Sequence, residues 1–301
     1  MQLDQPQVLR HTFENRTPRR SWFHTTFRSF RRDSFALVAA CILLVIIILS
    51  IVAPLVAPYD PTEAEPNLRL LGMGTPGHLF GLDGQGRDIL SRVIWGGRAS
   101  FPTALIPVMV ATLVSVTLAL LSGYFGGILG NIIMRVIDVI FAFPTIILAI
   151  AISAFLGTGR GSVIVAVSIV LLPPMTRVAY VAAREQVSRD FVEAARALGA
   201  PAWRLMLMHI LPNAFPPVLV YATTLVGLMV VFVAGLSFLG LGLKPPTAEW
   251  GLMVAEGRQL IGVAPHVAVV PGLTISITAL CFNLIGDGLR YALDPRVRNI
   301  K

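Results

Sequence analysis

The sequence predicts an all-α integral membrane protein with six transmembrane helices and both termini in the cytoplasm. Three observations carry that reading. The 301 residues have a mean hydropathy of +0.76, with 55% hydrophobic and 13% charged, whereas soluble domains carry about 25% charged residues. Charge-free apolar runs recur along the chain at the length of about 20 residues that crosses a bilayer. The lysines and arginines flank those runs unevenly, and the imbalance sets the orientation.

Taken in order, residues 1–34 form a basic tail carrying "RTPRR" and "RSFRRD". Arg28, Arg31 and Arg32 stand beside the first apolar run, where they suit anionic lipid headgroups. The first span, 35–57, carries no charge, is closed by Pro54 and Pro58, and shows no small-x-small cleavage site. It reads as a retained span and not as a cleaved signal peptide. An outer segment, 58–98, separates it from a core at 99–290. That core holds five further spans: 99–123, 139–159, 161–176 extending through 178–183, one within 210–243, and 267–286. A short tail, 291–301, closes the chain. With the amino terminus inside, the inner segments hold 17 of the 24 Lys and Arg residues and the outer segments hold 7. The positive-inside rule then places both termini, and the connection between the fourth and fifth spans, in the cytoplasm.

Composition excludes several functions. The formal charge is +8, but the basic residues form no patch interleaved with aromatics, so nucleic acid is not a partner. Cys41 and Cys281 lie inside apolar runs, without CxxC or zinc spacing, and are expected to be small buried hydrophobes. The P-loop pattern is absent; "GTGRGS" at 157–162 lacks its lysine and reads as a turn. "DGQGRD" at 83–88 lacks the carboxylate spacing of a calcium loop and also reads as a turn. No catalytic, cofactor-binding or metal-binding residue is assigned. An intramembrane hydrolase built on Ser237 and His266 finds no support in the spacing, and His209 belongs to the opposite side of the membrane.

An ion-coupled secondary carrier needs charges deep in the spans, and the runs are free of them. Asp138 lies three residues after Arg135 and Asp287 three before Arg290, so each is expected to make a local i,i+3 pair. The mid-span polar residues Ser115, Thr117, Thr223, Thr224 and Thr278 either line a cavity or make interhelical hydrogen bonds.

The connection "RDFVEAARALGAPAWRLMLMHILPN", residues 189–213, is better punctuated than a linker requires. Asp190 is placed to cap a helix with Glu193 three positions on. Phe191, Ala194, Ala195 and Leu198 follow one helical face. Gly199 supplies a left-handed stop, and Pro201 opens a second helix that bears Trp203, Leu205, Met206 and Leu207. Pro212 marks the start of the fifth span. A helix of about eight residues is marginal alone and needs a surface to pack on. From the residues, an interfacial elbow and a docking element are both open.

This stretch resembles the EAA loop of binding-protein-dependent ABC importer permeases. Glu193, Ala194 and Ala195 stand first, Gly199 four residues after the second alanine, and Ile210, Leu211 and Pro212 eleven residues later. "HLFGLDGQGRDILSRVIWGGRASF" (78–101), "GYFGGILGNIIMRVIDVIFAFP" (123–144), "LSFLGLGLKPPTAEWG" (236–251) and "FNLIGDGLRYALDPR" (282–296) are similar to further motifs of the peptide/nickel-type permeases, specifically their C-type subunit. Leu82 departs from the usual threonine and Tyr291 from the usual aspartate. The resemblance covers about 35–296 and implies a type I ABC importer permease fold in a prokaryotic inner membrane. It implies a coupling helix within the loop at 184–213 that docks on a cytoplasmic ATPase. It also implies as partners a second permease subunit, two ATPase subunits that hold ATP and Mg, and an external binding protein. The cargo implied is a dipeptide or oligopeptide, with nickel, glutathione and opine systems sharing the motifs.

Overall fold

A computed structural model describes residues 30–31 and 33–293. Most of the basic tail, with Arg28 and Arg32, and the carboxyl-terminal residues from 294 lie outside the described residues. The described chain is helical, with no strand beyond two isolated bridges, Thr75 to His78 and Leu82 to Asp88.

Helix α1, Ser34–Ile51, starts where Asp33 accepts the Phe35 and Ala36 amide protons at 3.0 and 3.2 Å. It ends in a short turn, Ala53–Val56, that contains Pro54. Helix α2, Ile89–Phe125, has 37 residues and at 1.5 Å per residue reaches about 55 Å, well beyond the hydrocarbon thickness. It begins ten residues before the expected span because the Asp88 carboxylate accepts the Ser91 amide at 2.7 Å and caps the helix there. Arg92 and Arg98 are thereby drawn into a helix that the charge-free criterion had cut short.

The expected third span is not straight. Helix α3, Gly127–Phe141, and helix α4, Thr145–Leu156, meet at 88°. Pro144 has no N–H to continue the ladder, and its ring disfavours helical geometry at Phe143. Neither half alone has the length of a span, and together they run from one end of the bundle to the other. At one end of the bundle Arg184 donates to the Gly123 carbonyl at 3.0 Å. At the other end the Gly159 amide donates to Leu241 at 3.2 Å.

Helix α5, Arg160–Val187, follows the turn at 157–159. Then come α6, Asp190–Ala197, and α7, Ala202–Phe238, which runs unbroken for 37 residues. The second short helix expected at 201–210 is therefore the first part of α7, and Pro201 stands just ahead of it as its N-cap. Residues Leu205–Ile210 are wound as a π-helix, and the Leu211 amide reaches back to Met206. This wider turn directly precedes Pro212, whose missing N–H would otherwise interrupt an α-helical ladder. Helix α8, Trp250–Gly257, and helix α9, His266–Leu293, are the last helices among the described residues.

The core lies where α2, α5, α7 and α9 meet and is rich in small and β-branched residues such as Ala104, Ala111, Val163, Val167 and Val218, all buried. Small side chains let apolar helices approach closely where lipid offers no hydrophobic drive. Gly288 of α9 is pressed against Ala36 of α1. The start of α1 and the end of α9 thus share one end of the bundle with α6, and α8 lies at the opposite end.

Three local expectations are corrected. Asp138 pairs with Arg177 of α5 at 2.8 Å, not with Arg135, because Arg177 reaches across from the packed neighbour and also lies 4.2 Å over the Phe141 ring. Asp287 and Arg290 are exposed and make no ion pair with one another. Cys281 is buried, but Cys41 is exposed on the outside of α1, since α1 packs against the rest along one side only.

Candidate functional site

Two regions carry the arrangement: α6 at one end and a charged cluster beside α8 at the other. In α6 the N-cap is Arg189, without a side-chain bond, and Asp190 is the first helical residue. The expected capping box is therefore not formed, since a residue already in helical geometry does not turn its side chain back onto the helix start. Asp190 and Glu193 instead lie in the first turn, where the positive end of the helix dipole favours carboxylates. The other end behaves as the sequence predicts. Gly199 has φ +82, the Gly199 amide donates to Arg196 at 3.0 Å and the Ala200 amide to Ala195 at 3.1 Å. That pair of bonds is a Schellman stop.

The expected apolar face divides. Val192, passed over in the sequence, is fully buried, and it packs with Leu120, Ala182, Ala183, Leu205, Ile210 and Ala214. Ala195 leans onto the same cluster. Phe191, Ala194 and Leu198 point away from it, with Leu198 89% exposed. Val192 and Ala195 are three apart, so the i,i+3 rule could have found this inner seam. Two further contacts fix the helix: Arg196 lies 5.5 Å over the Tyr124 ring at the end of α2, and Arg189 pairs with Glu185 one turn back. Ile210 is buried and Leu211 half-buried, while Pro212 is exposed. Ile210 and Leu211 thus sit behind α6 and not on its open surface.

The cavity candidates also divide. Ser115 is fully buried, donates to the Leu172 carbonyl at 3.3 Å and accepts from Thr176 at 3.0 Å, tying α2 to α5. Thr278 is fully buried as well. Neither lines open space, because the chain's own helices enclose both. Thr117, Thr223 and Thr224 return their hydroxyls to carbonyls four residues back, at 2.9, 2.9 and 3.2 Å. Thr117 is exposed, and Thr223 and Thr224 are half-buried.

At the α8 end the residues themselves read only as a turn, and the family resemblance at 78–101 and 236–251 assigns them no role. The turn is present, but it holds buried charges. Asp83 Oδ1 accepts the Gln85 and Arg87 amides at 2.8 and 3.0 Å. Asp83 Oδ2 takes Arg87 Nε at 2.7 Å and lies 3.1 Å from Arg92 Nη1. Glu256 Oε2 accepts the Nη2 groups of both arginines, at 2.8 and 2.9 Å. The Arg92 side chain is 0% exposed and that of Arg87 2%. Burial pushes the Glu256 carboxyl above its ordinary range, and Arg87 pulls it back. Beside this cluster, His78 Nδ1 lies 3.0 Å from Asp88 Oδ1 and stacks on Tyr59. Glu256 is 164 positions from Arg92, so no local spacing could have announced the pairing.

The profile of the family described as binding-protein-dependent transport system inner membrane component matches residues 115–299. That of the N-terminal TM domain of oligopeptide transport permease C matches residues 21–72. The chain is 40% identical over 284 residues to the glutathione transport system permease protein GsiD of Pectobacterium atrosepticum, covering 94% of this chain and 93% of that one. It is 42% identical over 283 residues to the protein of the same name from Escherichia coli, covering 94% and 92%. A solved structure described as the crystal structure of an amino acid ABC transporter with histidines is similar at TM-score 0.50 and 17% identity. That match covers 64% of this chain and 90% of the other, and at such identity it concerns the fold alone.

Proposed function

Because the chain belongs to the family of binding-protein-dependent transport inner-membrane components, as a multi-pass permease of ABC importers, we propose that it forms half of an import path whose energy enters at α6. The α6 end then faces the cytoplasm, in keeping with the excess of Lys and Arg there. A second permease subunit completes the path. Two ATPase subunits hold ATP and Mg, and an external binding protein delivers the cargo. The cargo proposed is a short peptide, with glutathione, named in the relatives, as its first candidate.

One observation carries this reading. Helix α6 is anchored on one side by Val192 and Ala195 and presents Phe191, Ala194 and Leu198, with Glu193 beside them, on the other. An exposed apolar face on a short helix with a firm C-terminal stop outside the spans suits a protein partner. The mechanism follows from its mounting. Val192 touches Leu205 and Ile210 at the foot of α7, and α7 continues for 37 residues to the α8 end. A displacement of α6 by closing ATPase subunits is passed to α7 by direct contact, and the long helix carries it across the bilayer.

The test is Glu193→Lys and Gly199→Val in the assembled transporter. ATP hydrolysis is expected to continue while uptake of glutathione falls, with the chain still in the membrane. Full uptake in both variants would sink the coupling role.

A further inference from the structure

We propose that Asp83, Arg87, Arg92 and Glu256 weld residues 83–100 and 249–260 into one rigid body that keeps its internal distances through the transport cycle. The change of access at this end then falls on the two connections flanking that body, residues 239–248 and 261–265. The inference rests on the transport reading above but concerns a different end of the molecule.

Four observations support it. Two arginines and two carboxylates balance in charge, and Glu256 is the single group on α8 that both arginines share. Parting the seam would leave two buried guanidinium groups with only Asp83, which burial makes costly. The Glu249 carboxylate at the head of α8 accepts the Gly251 and Leu252 amides at 2.9 and 2.8 Å and also the Ser100 hydroxyl at 3.1 Å, so the cap of α8 is bonded to α2. Trp250 is buried against α2, with its indole N–H donating to the Val93 carbonyl at 2.9 Å. A Cβ at Gly96 would lie 2.6 Å from that ring, so the two helices meet without slack. Lastly, the flanking connections are less enclosed: residues 244–247 and 261–263 are exposed, with Gly242, Ala248 and Ala264 as their buried points. Segments with few buried contacts open at low free energy, and packed ones do not.

The experiment uses the complete transporter in lipid vesicles, with Cys41→Ser and Cys281→Ala removing the native thiols. Spin labels are attached at Gln85→Cys with Gln259→Cys, inside the body, and at Gln85→Cys with Lys244→Cys, across one connection. Distances are compared between the nucleotide-free state and the state trapped with ATP and vanadate. The first distance is expected to stay within its own width while the second shifts. A shift in the first, or none in either, overturns the proposal. Adding Glu256→Gln to the first pair is expected to broaden its distance distribution and to lower glutathione uptake several-fold. An unbroadened distribution overturns the role of the charges. Uptake by unaltered vesicles is measured alongside: its absence counts against the transport reading, while the label distances still report on the rigid body.

Discussion

The two ends of this permease solve opposite problems. At the α8 end the chain is closed on itself: Arg87, Arg92, Asp83 and Trp250 are buried and, with the half-buried Glu256, find their partners within the same chain. At the α6 end a helix of eight residues is held by Val192 and a Schellman stop, while Phe191, Ala194 and Leu198 stay open. The first arrangement is made within one chain, and the second leaves an apolar face open. Under the coupling reading proposed above, that open face is the one a partner would cover.

The comparison predicts a ranking of substitutions. Arg92→Ala should do most harm, because it strips a buried partner from both Asp83 and Glu256; loss of about 3–5 kcal/mol is expected, read as a fall in melting temperature in detergent. An effect no larger than that of a surface change would undo the contrast. Gly96→Ala should follow at about 1–3 kcal/mol, the usual cost of overpacking, since its new Cβ meets Trp250; the same melt reads it. Val192→Ala should cost about 1.5 kcal/mol at about 0.8 per buried methylene, and limited proteolysis at 189–200 should show the loosened helix. Leu198→Ala should change stability by less than about 0.5 kcal/mol, yet lower the amount of ATPase subunit that co-purifies. Arg177→Met should be nearly silent in both assays, because exposed ion pairs contribute about 0–1 kcal/mol and Arg177 and Asp138 are both nearly half exposed.

The α6 end was largely legible in the sequence, since its signals are local: the length of the helix, the Gly199 stop and the break from apolar runs all lie within a dozen residues. What escaped was which side faces in, because Val192 competes with Phe191 and Leu198 for the same role and only the neighbours decide between them. The α8 end was almost silent. Arg87 and Arg92 in an outer segment look solvated until Glu256 arrives from the far side of the chain.

By itself the sequence determined the membrane class, the apolar runs that become five long helices and one bent pair, the bias of positive charge and the EAA spacing, because hydropathy and helix caps act over one helix length. The tertiary structure decided the rest. It bent the third span at Pro144, ran the second half of the EAA loop straight into α7, turned Ser115 and Thr278 inward, and assembled four charges from two distant segments. Each of those outcomes depends on contacts between residues far apart in the chain, and such contacts leave no periodicity to read.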